Sequence, residues 1–219
     1  MRLVSLGNHY GAAEPFSHLF DEVMVMGKSK QSFDELTLTS NDVVLFCGGE
    51  DISPSIYGQK SSRHTSAGVE LTDRDSFEVH AMKRSIARGA KLLGICRGAQ
   101  LICAISGGSL YQHVNNHSGR GHLMTTNDGE NIEVCSVHHQ MMNPFKTKHE
   151  LIAWASSVLS DVHLIEGEKN IEVEVEPEVV YFQDTKGLAI QYHPEFMSDK
   201  TEAVQYSVGL VKKYLMEKE

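Results

Sequence analysis

The chain has 219 residues, 41% apolar and 22% charged, which suits one globular domain with a substantial core. Against 29 acidic residues stand 20 basic ones, and the net charge of −9 gives no electrostatic footprint for nucleic acid or an anionic membrane surface. No apolar run approaches the roughly 18 residues of a membrane span, no h-region follows Met1, and the four cysteines show no CxxC spacing, so free thiols in a reducing cytoplasm are expected.

In chain order, Met1–Leu6 and Glu22–Met26 read as strands. Asp42–Cys47 is a third, a continuous apolar run ending in Gly48-Gly49. Such runs fit strands buried on both faces of a parallel sheet. A helix is predicted from Asp73 or Asp75, either of which can cap it, to about Arg88. Its Phe77, Ala81, Met82 and Ile86 follow helical spacing. Lys91–Ile95 is the next buried strand and Gly98–Ile105 the next helix. From Leu110 to Val137 the chain is polar, histidine-rich and broken by Gly and Asn, which predicts short strands and hairpins. Ile171–Val175 and Val179–Gln183 read as strands, 184–187 as a turn and Leu188–Tyr192 as a further strand. Thr201–Lys218 reads as a closing amphipathic helix, with Val204, Val208, Val211 and Leu215 on one face. Early strand–helix alternation followed by added antiparallel strands predicts a three-layer α/β domain. No repeat or linker divides residues 1–219.

The segment richest in chemistry is Gly94-Ile95-Cys96-Arg97-Gly98-Ala99-Gln100. A buried strand ends at Ile95, a helix opens at Gly98, and Cys96 sits on the turn between, the geometry of a nucleophile elbow. A helix N-terminus beside the sulfur favours the thiolate. A lone buried cysteine is more often a small hydrophobe, and Cys103, seven residues on, reads that way. The flanking glycines and the strand-to-helix position set Cys96 apart. A thiolate nucleophile needs a histidine base, and often a third group to orient it. Gln191-Tyr192-His193-Pro194-Glu195 is the best candidate, because an apolar strand delivers His193 to the sheet edge where ligands gather. In an extended segment His193 and Glu195 share a side.

Together these segments resemble the class I glutamine amidotransferase superfamily, with its G-x-C-x-G-x-Q elbow and H-P-E segment near the C-terminus. A closer resemblance is to the γ-glutamyl hydrolase branch, which includes γ-glutamyl-γ-aminobutyrate hydrolases. It rests on Gly48-Gly49-Glu50-Asp51-Ile52-Ser53-Pro54-Ser55-Ile56-Tyr57-Gly58, on Arg74-Asp75-Ser76-Phe77-Glu78, on Gly107-Gly108-Ser109-Leu110-Tyr111-Gln112 and on His138-His139-Gln140. Departures are Cys103, where the family often has Asn, Cys135-Ser136 ahead of the H-H-Q segment, and a V-E-A segment loosely matched by either Ile171-Glu172-Val173 or Val173-Glu174-Val175. The resemblance implies a flavodoxin-like fold: three layers, a mostly parallel central sheet, the nucleophile elbow and an added antiparallel region. It implies Cys96 as nucleophile, His193 as general base and acid, and Glu195 as orienter. The oxyanion hole would be the backbone N–H groups of Gly49 and Arg97, and Gln100, His138, His139 and Gln140 would contact substrate.

His113, His117 and His122 are spaced for a metal, but Asn115, Asn116, Ser118, Gly119 and Gly121 argue against a regular helix and no cysteine pair completes a site. The expectation is no metal and no cofactor. Arg74, Asp75 and Glu78 read equally as helix capping and as a group beside the site. Three functions remain open: a free-standing hydrolase of γ-glutamyl amides, releasing glutamate and an amine; a glutaminase subunit passing ammonia to a separate synthetase; and a non-catalytic binding module on the same fold. The intact triad disfavours the last. The expected partner is a small γ-glutamyl molecule, with neither nucleic acid nor membrane, and a homodimer stays open.

Overall fold

The apolar runs pair in parallel, as strands buried on both faces should. The computed structural model describes residues 1–217, apart from the side chain of Arg120. Its strands are β1 (Arg2–Leu6), β2 (Glu22–Met26), β3 (Asp42–Phe46), β4 (Lys91–Ile95), β5 (Ser109–Tyr111), β6 (His113–Val114) and β7 (Ser118–Thr126). They continue as β8 (Asn131–Val137), β9 (Met141–Asn143), β10 (His149–Ala155), β11 (His163–Ile165), β12 (Lys169–Asn170), β13 (Pro177–Phe182) and β14 (Gly187–Ile190). The α-helices are α1 (Glu14–Ser17), α2 (Lys30–Glu35), α3 (Asp73–Ala87), α4 (Arg97–Ile105) and α5 (Glu202–Leu210).

Nine strands form one sheet in the order β2-β1-β3-β4-β14-β13-β10-β7-β8. Pairing is parallel from β2 to β14 and antiparallel from there to β8. The sheet is therefore mixed: β1 to β4 and the last strand, β14, run parallel, and β13, β10, β7 and β8 extend it antiparallel. Side chains alternate between its faces. Leu3, Val43, Leu45, Leu93 and Ile95 pack with Phe16 of α1 and with Val204 and Val208 of α5. Val4, Leu6, Val44, Phe46 and Leu92 pack on the other side with Phe77, Ala81 and Met82 of α3 and with Leu101 and Ile102 of α4. Three layers result.

Several elements differ from the sequence expectation. Ile171–Val175 forms no strand, and β13 begins only at Pro177. The apolar alternation there serves packing instead: Ile171 and Val173 lie on a small cluster of Tyr111, Val114 and Met141, and of the backbone the Ile171 N–H donates to the His163 carbonyl at 3.1 Å. The cap of α3 is Thr72, not Asp73 or Asp75, because the Thr72 side chain accepts from the Asp75 N–H while Asp75 returns the bond in a capping box. The closing helix is α-helical to Leu210 and π-helical over Val211–Met216, and Lys218 lies outside the described residues. Its stripe is as expected: Val204, Val208, Val211 and Leu215 are all buried. Among the described residues no helix is long and apolar enough to cross a membrane.

Candidate active site

The parallel strands β3, β4 and β14 end side by side, and the candidate residues follow their C-terminal ends. Cys96 follows β4 directly and is the N-cap of α4, with φ 50° and ψ −105°. That backbone lies in a region that side chains rarely adopt, as expected of a sharp strand-to-helix turn. Gly98 makes the turn possible: a Cβ there would sit 2.0 Å from the Phe46 carbonyl oxygen, so α4 rests directly on the backbone of β3. Cys96 is 5% exposed, as is His193.

His193 follows the strand that ends at Ile190 and is reached through buried Gln191 and Tyr192. Its Nδ1 lies 2.8 Å from Glu195 Oε1. Pro194–Phe196 form a 3-10 turn rather than an extended segment, so the turn, not strand alternation, brings His193 and Glu195 together. The Phe196 ring stacks on the imidazole at 4.6 Å between centroids. Burial pushes the His193 pKa down, but the neighbouring Cys96 and the hydrogen-bonded Glu195 carry it up to about 10.

The Gly48-Gly49 loop closes on this pair. A Cβ on Gly48 would lie 2.9 Å from His193 Cε1 and 3.6 Å from Cys96 Cβ. Gly49 has φ 142°, a conformation that suits glycine, and its added Cβ would meet Arg74 Nη1 at 2.2 Å. Arg74 donates from Nη2 to the carbonyls of Cys47 (3.1 Å) and Gly48 (2.9 Å) and from Nε to Glu78 (2.7 Å). Glu78 also accepts from Arg97, whose other nitrogen donates to Asp75 at 2.7 Å. Asp75, Glu78 and Arg97 are all buried. The motif that read equally as capping and as a neighbour of the site is both: Asp75 completes the cap of α3, and Arg74 holds the loop. The peptide is trans and planar, so fixing the Gly48 carbonyl toward Arg74 turns the Gly49 N–H the opposite way.

Gly49, Asp51, Cys96, Gln100, Val137, His138, His139 and Gln140 line one pocket. Within it Gln100 donates to the Gln140 carbonyl at 2.9 Å, and Gln140 donates to Thr65 and to the Gln112 carbonyl. His138 donates from Nδ1 to the Gln140 carbonyl at 2.9 Å. Burial and the neighbouring histidines hold its pKa well below the usual range. His139 faces Asp51 at 3.0 Å, and Asp51 also accepts from the N–H and hydroxyl of Ser66. Sequence reasoning assigned Asp51 no role, although the G-G-x-D motif contains it. Cys47 and Cys103 are buried, and burial pushes their thiols up, Cys103 to about 12.

His113, His117 and His122 do not converge as a trio. His113 stacks on His64 at 4.3 Å, whereas buried His117 packs against half-buried His122 and buried His138. Two acids that the sequence reading passed over enter there. Glu176 accepts from His117, His163 and the N–H groups of Leu159 and Ser160, and Glu178 from His122. The signal was a pair of acids bordering an apolar strand, Glu176-Pro177-Glu178, and the looser match at Glu172 drew attention away from it.

A mixed α/β sheet with a strained cysteine at the strand–helix turn and a His–Glu pair at the next strand end defines a class I glutamine amidotransferase-type fold. The Peptidase C26 family model matches residues 22–130, a span holding the Gly48-Gly49 loop and Cys96. A Lactococcus lactis subsp. lactis protein named as a candidate glutamine amidotransferase-like protein, YvdE, is 28% identical over 82% of this chain and 77% of its own. A Mycobacterium tuberculosis protein named as a candidate glutamine amidotransferase is 27% identical over 72% of this chain and 52% of its own. Among solved structures, a Thermoplasma acidophilum protein named as a candidate GMP synthase component superimposes with TM-score 0.61 at 14% identity, covering 98% of this chain and 95% of its own. A glutamine amidotransferase of Thermotoga maritima superimposes with TM-score 0.55 at 14% identity, over 97% and 85%. Over residues 22–130 the chain is similar to the Peptidase C26 family, and over most of its length to proteins named glutamine amidotransferase-like.

Proposed function

We propose that this chain is a cysteine-dependent amidohydrolase that cleaves a γ-glutamyl amide, either a γ-glutamyl amine or glutamine, through a thioester on Cys96. The observation that carries the reading is the placement of His193, hydrogen-bonded to Glu195 at 2.8 Å, beside Cys96 against the Gly48-Gly49 loop that Arg74 holds. The Cys96 thiolate attacks the γ-carbonyl carbon. The Gly49 N–H and the Arg97 N–H, an unpaired donor at the first turn of α4, stabilise the oxyanion that forms. His193 gives its proton to the departing amine, and Glu195 keeps the imidazolium oriented. Water then attacks the thioester as His193 takes its proton, glutamate leaves, and Cys96 is free again. Gln100, His138, His139 and Gln140 form the wall for the glutamyl group. His139 and Gln100 present the more adaptable contacts, because both Gln140 amide hydrogens are already given to protein oxygens.

The names of the relatives favour a second reading, in which the same chemistry feeds ammonia to a separate synthetase. The resemblance of the 48–58 loop and the His138–Gln140 segment to the γ-glutamyl hydrolase branch favours the first. The test is glutamate release by pure protein from glutamine and a panel of γ-glutamyl amines. Turnover should disappear in Cys96→Ala and in His193→Ala, with the double variant no worse than either, because nucleophile and base act as a unit. Full activity in His193→Ala would place the base elsewhere.

A further inference from the structure

Behind the pocket, two buried imidazoles and a buried carboxylate come together. His117 lies in the turn before β7, His138 follows β8, and Glu178 is on β13; their side chains are 0%, 5% and 0% exposed as residues. His117 Nδ1, His138 Nε2 and Glu178 Oε2 have no hydrogen-bond partner, and ligand atoms of these three residues lie within 4.8 Å of one another. The opposite ends of the side chains fix which atoms carry lone pairs. His117 Nε2 faces the Glu176 carboxylate at 3.0 Å, so it donates there, while Nδ1, without a hydrogen-bond partner, lies 3.9 Å from Glu178 Oε1. His138 Nδ1 faces the Gln140 carbonyl at 2.9 Å, so it donates and leaves Nε2 bare. Glu178 Oε1 takes the His122 Nε2 proton at 2.9 Å, leaving Oε2 unpaired. Buried acceptors facing one another without a donor are unfavourable, and a cation resolves the conflict.

We propose that His117, His138 and Glu178 form a site for a divalent transition-metal cation, zinc first, in the antiparallel half of the sheet. Two imidazoles and a carboxylate suit zinc. The outer contacts are those that such ligands use: each ring's other N–H goes to a carboxylate or a backbone carbonyl. Bonds of about 2.0–2.2 Å put ligand atoms roughly 3.3–3.5 Å apart, so binding draws the side chains in by about an ångström. The ligands come from three separated segments, which is why the 113/117/122 spacing does not reveal them. His138 immediately precedes His139 and Gln140, so the cation ties that pocket wall to β13. One ligand, His138, also lines the Cys96 pocket, but the ligand set itself does not rest on the amidohydrolase reading.

The experiment strips the full chain with chelator and titrates it with zinc at buffered free concentrations, reading bound metal by atomic absorption. About one zinc per chain is expected in the wild type and equally in Cys96→Ala, which removes the other strong ligand. His117→Gln and Glu178→Gln should bind it roughly 100-fold more weakly or worse, and zinc should raise the melting temperature of the wild type but not of Glu178→Gln. Cobalt substitution of the wild type needs no variant to fold: visible bands without a thiolate charge-transfer band are expected. No zinc retained at micromolar free metal would overturn the site and leave the polar atoms to buried water. So would equal binding by both variants, loss of binding in Cys96→Ala, or a cobalt spectrum with a thiolate band.

Discussion

Cys96 and His193 sit in a space that admits nothing extra. The cysteine takes a backbone conformation that costs about 1–3 kcal/mol elsewhere, and it keeps this geometry because α4 rests on β3 through Gly98. On the facing side Gly48 leaves no room for a methyl group. Gly48→Ala should therefore displace His193 and lower kcat by about 100-fold while leaving the circular-dichroism spectrum unchanged, since a misplacement near 1 Å has that effect; wild-type kcat in this variant would mean that the loop is slack. The acid–base behaviour follows from the same contacts. His193 is charged below a pKa carried to about 10 by Cys96 and Glu195 against its burial, with His138 and Cys135 the other titratable groups that feel it. Its raised value means that the imidazolium persists through neutral pH and is lost as pH rises toward 10. The kcat/KM profile, which reports the free enzyme, should hold from neutral pH upward and fall on that alkaline limb. Glu195→Gln removes a charge that favours the imidazolium, so the limb should move to lower pH. An unmoved limb would separate Glu195 from the base.

At the scale of elements, α3 and α4 work as a clamp on the loop after β3. Arg97 holds Asp75 and Glu78, Glu78 holds Arg74, and Arg74 holds the carbonyls of Cys47 and Gly48. Arg74→Ala frees the Gly48-Gly49 peptide to rotate. The expected loss is in kcat, of the order of 10²–10³, the value of one oxyanion donor, with KM little changed; a rise in KM at constant kcat would make Arg74 a substrate contact instead. Arg97→Met should destabilise folding by about 3–5 kcal/mol in a urea melt, because two buried carboxylates lose their partner. Much of this scaffold was legible. Continuous apolar runs such as Asp42–Phe46 and Lys91–Ile95 announce buried parallel strands, and the Val204-to-Leu215 stripe announces the closing helix. The misreadings are local in kind. Ile171–Val175 alternates like a strand, but alternation cannot tell a ladder from a segment that only packs its apolar side chains. His193 and Glu195 meet through a 3-10 turn, since Pro194 favours a helical first turn as readily as an extended link.

Across the whole molecule, the candidate triad was legible because its members lie in short motifs at strand ends, and parallel α/β sheets gather ligands at the carboxyl ends of their strands. Arg74 was legible as a neighbour of the site but not as the clamp on the Gly48 carbonyl, and the His117–His138–Glu178 group was not legible, because it joins segments whose meeting depends on the pairing of β13 between β14 and β10. The choice between a free-standing hydrolase and a partner-dependent glutaminase also belongs to this scale, and the loop geometry bears on it. A glutaminase that awaits a partner can keep its oxyanion peptide turned away until binding. Here the Gly48 carbonyl is already held by Arg74 at 2.9 Å, and the trans peptide directs the Gly49 N–H away from that arginine. A loop fixed in advance leaves little for a partner to add. The pure protein should therefore turn over a γ-glutamyl amine with a higher kcat/KM than glutamine, and candidate synthetases encoded beside it should change that value by less than about threefold, far below the 10²–10³ that an absent donor would cost. The measurement is kcat/KM for both substrates with and without each partner at saturation. Acceleration of glutamine hydrolysis by about 100-fold would mean that the loop moves on binding and that the chain works within a larger synthetase complex. Arg74→Ala separates the cases again: a self-sufficient hydrolase should lose its activity with the clamp, whereas a partner able to rebuild the hole should restore it.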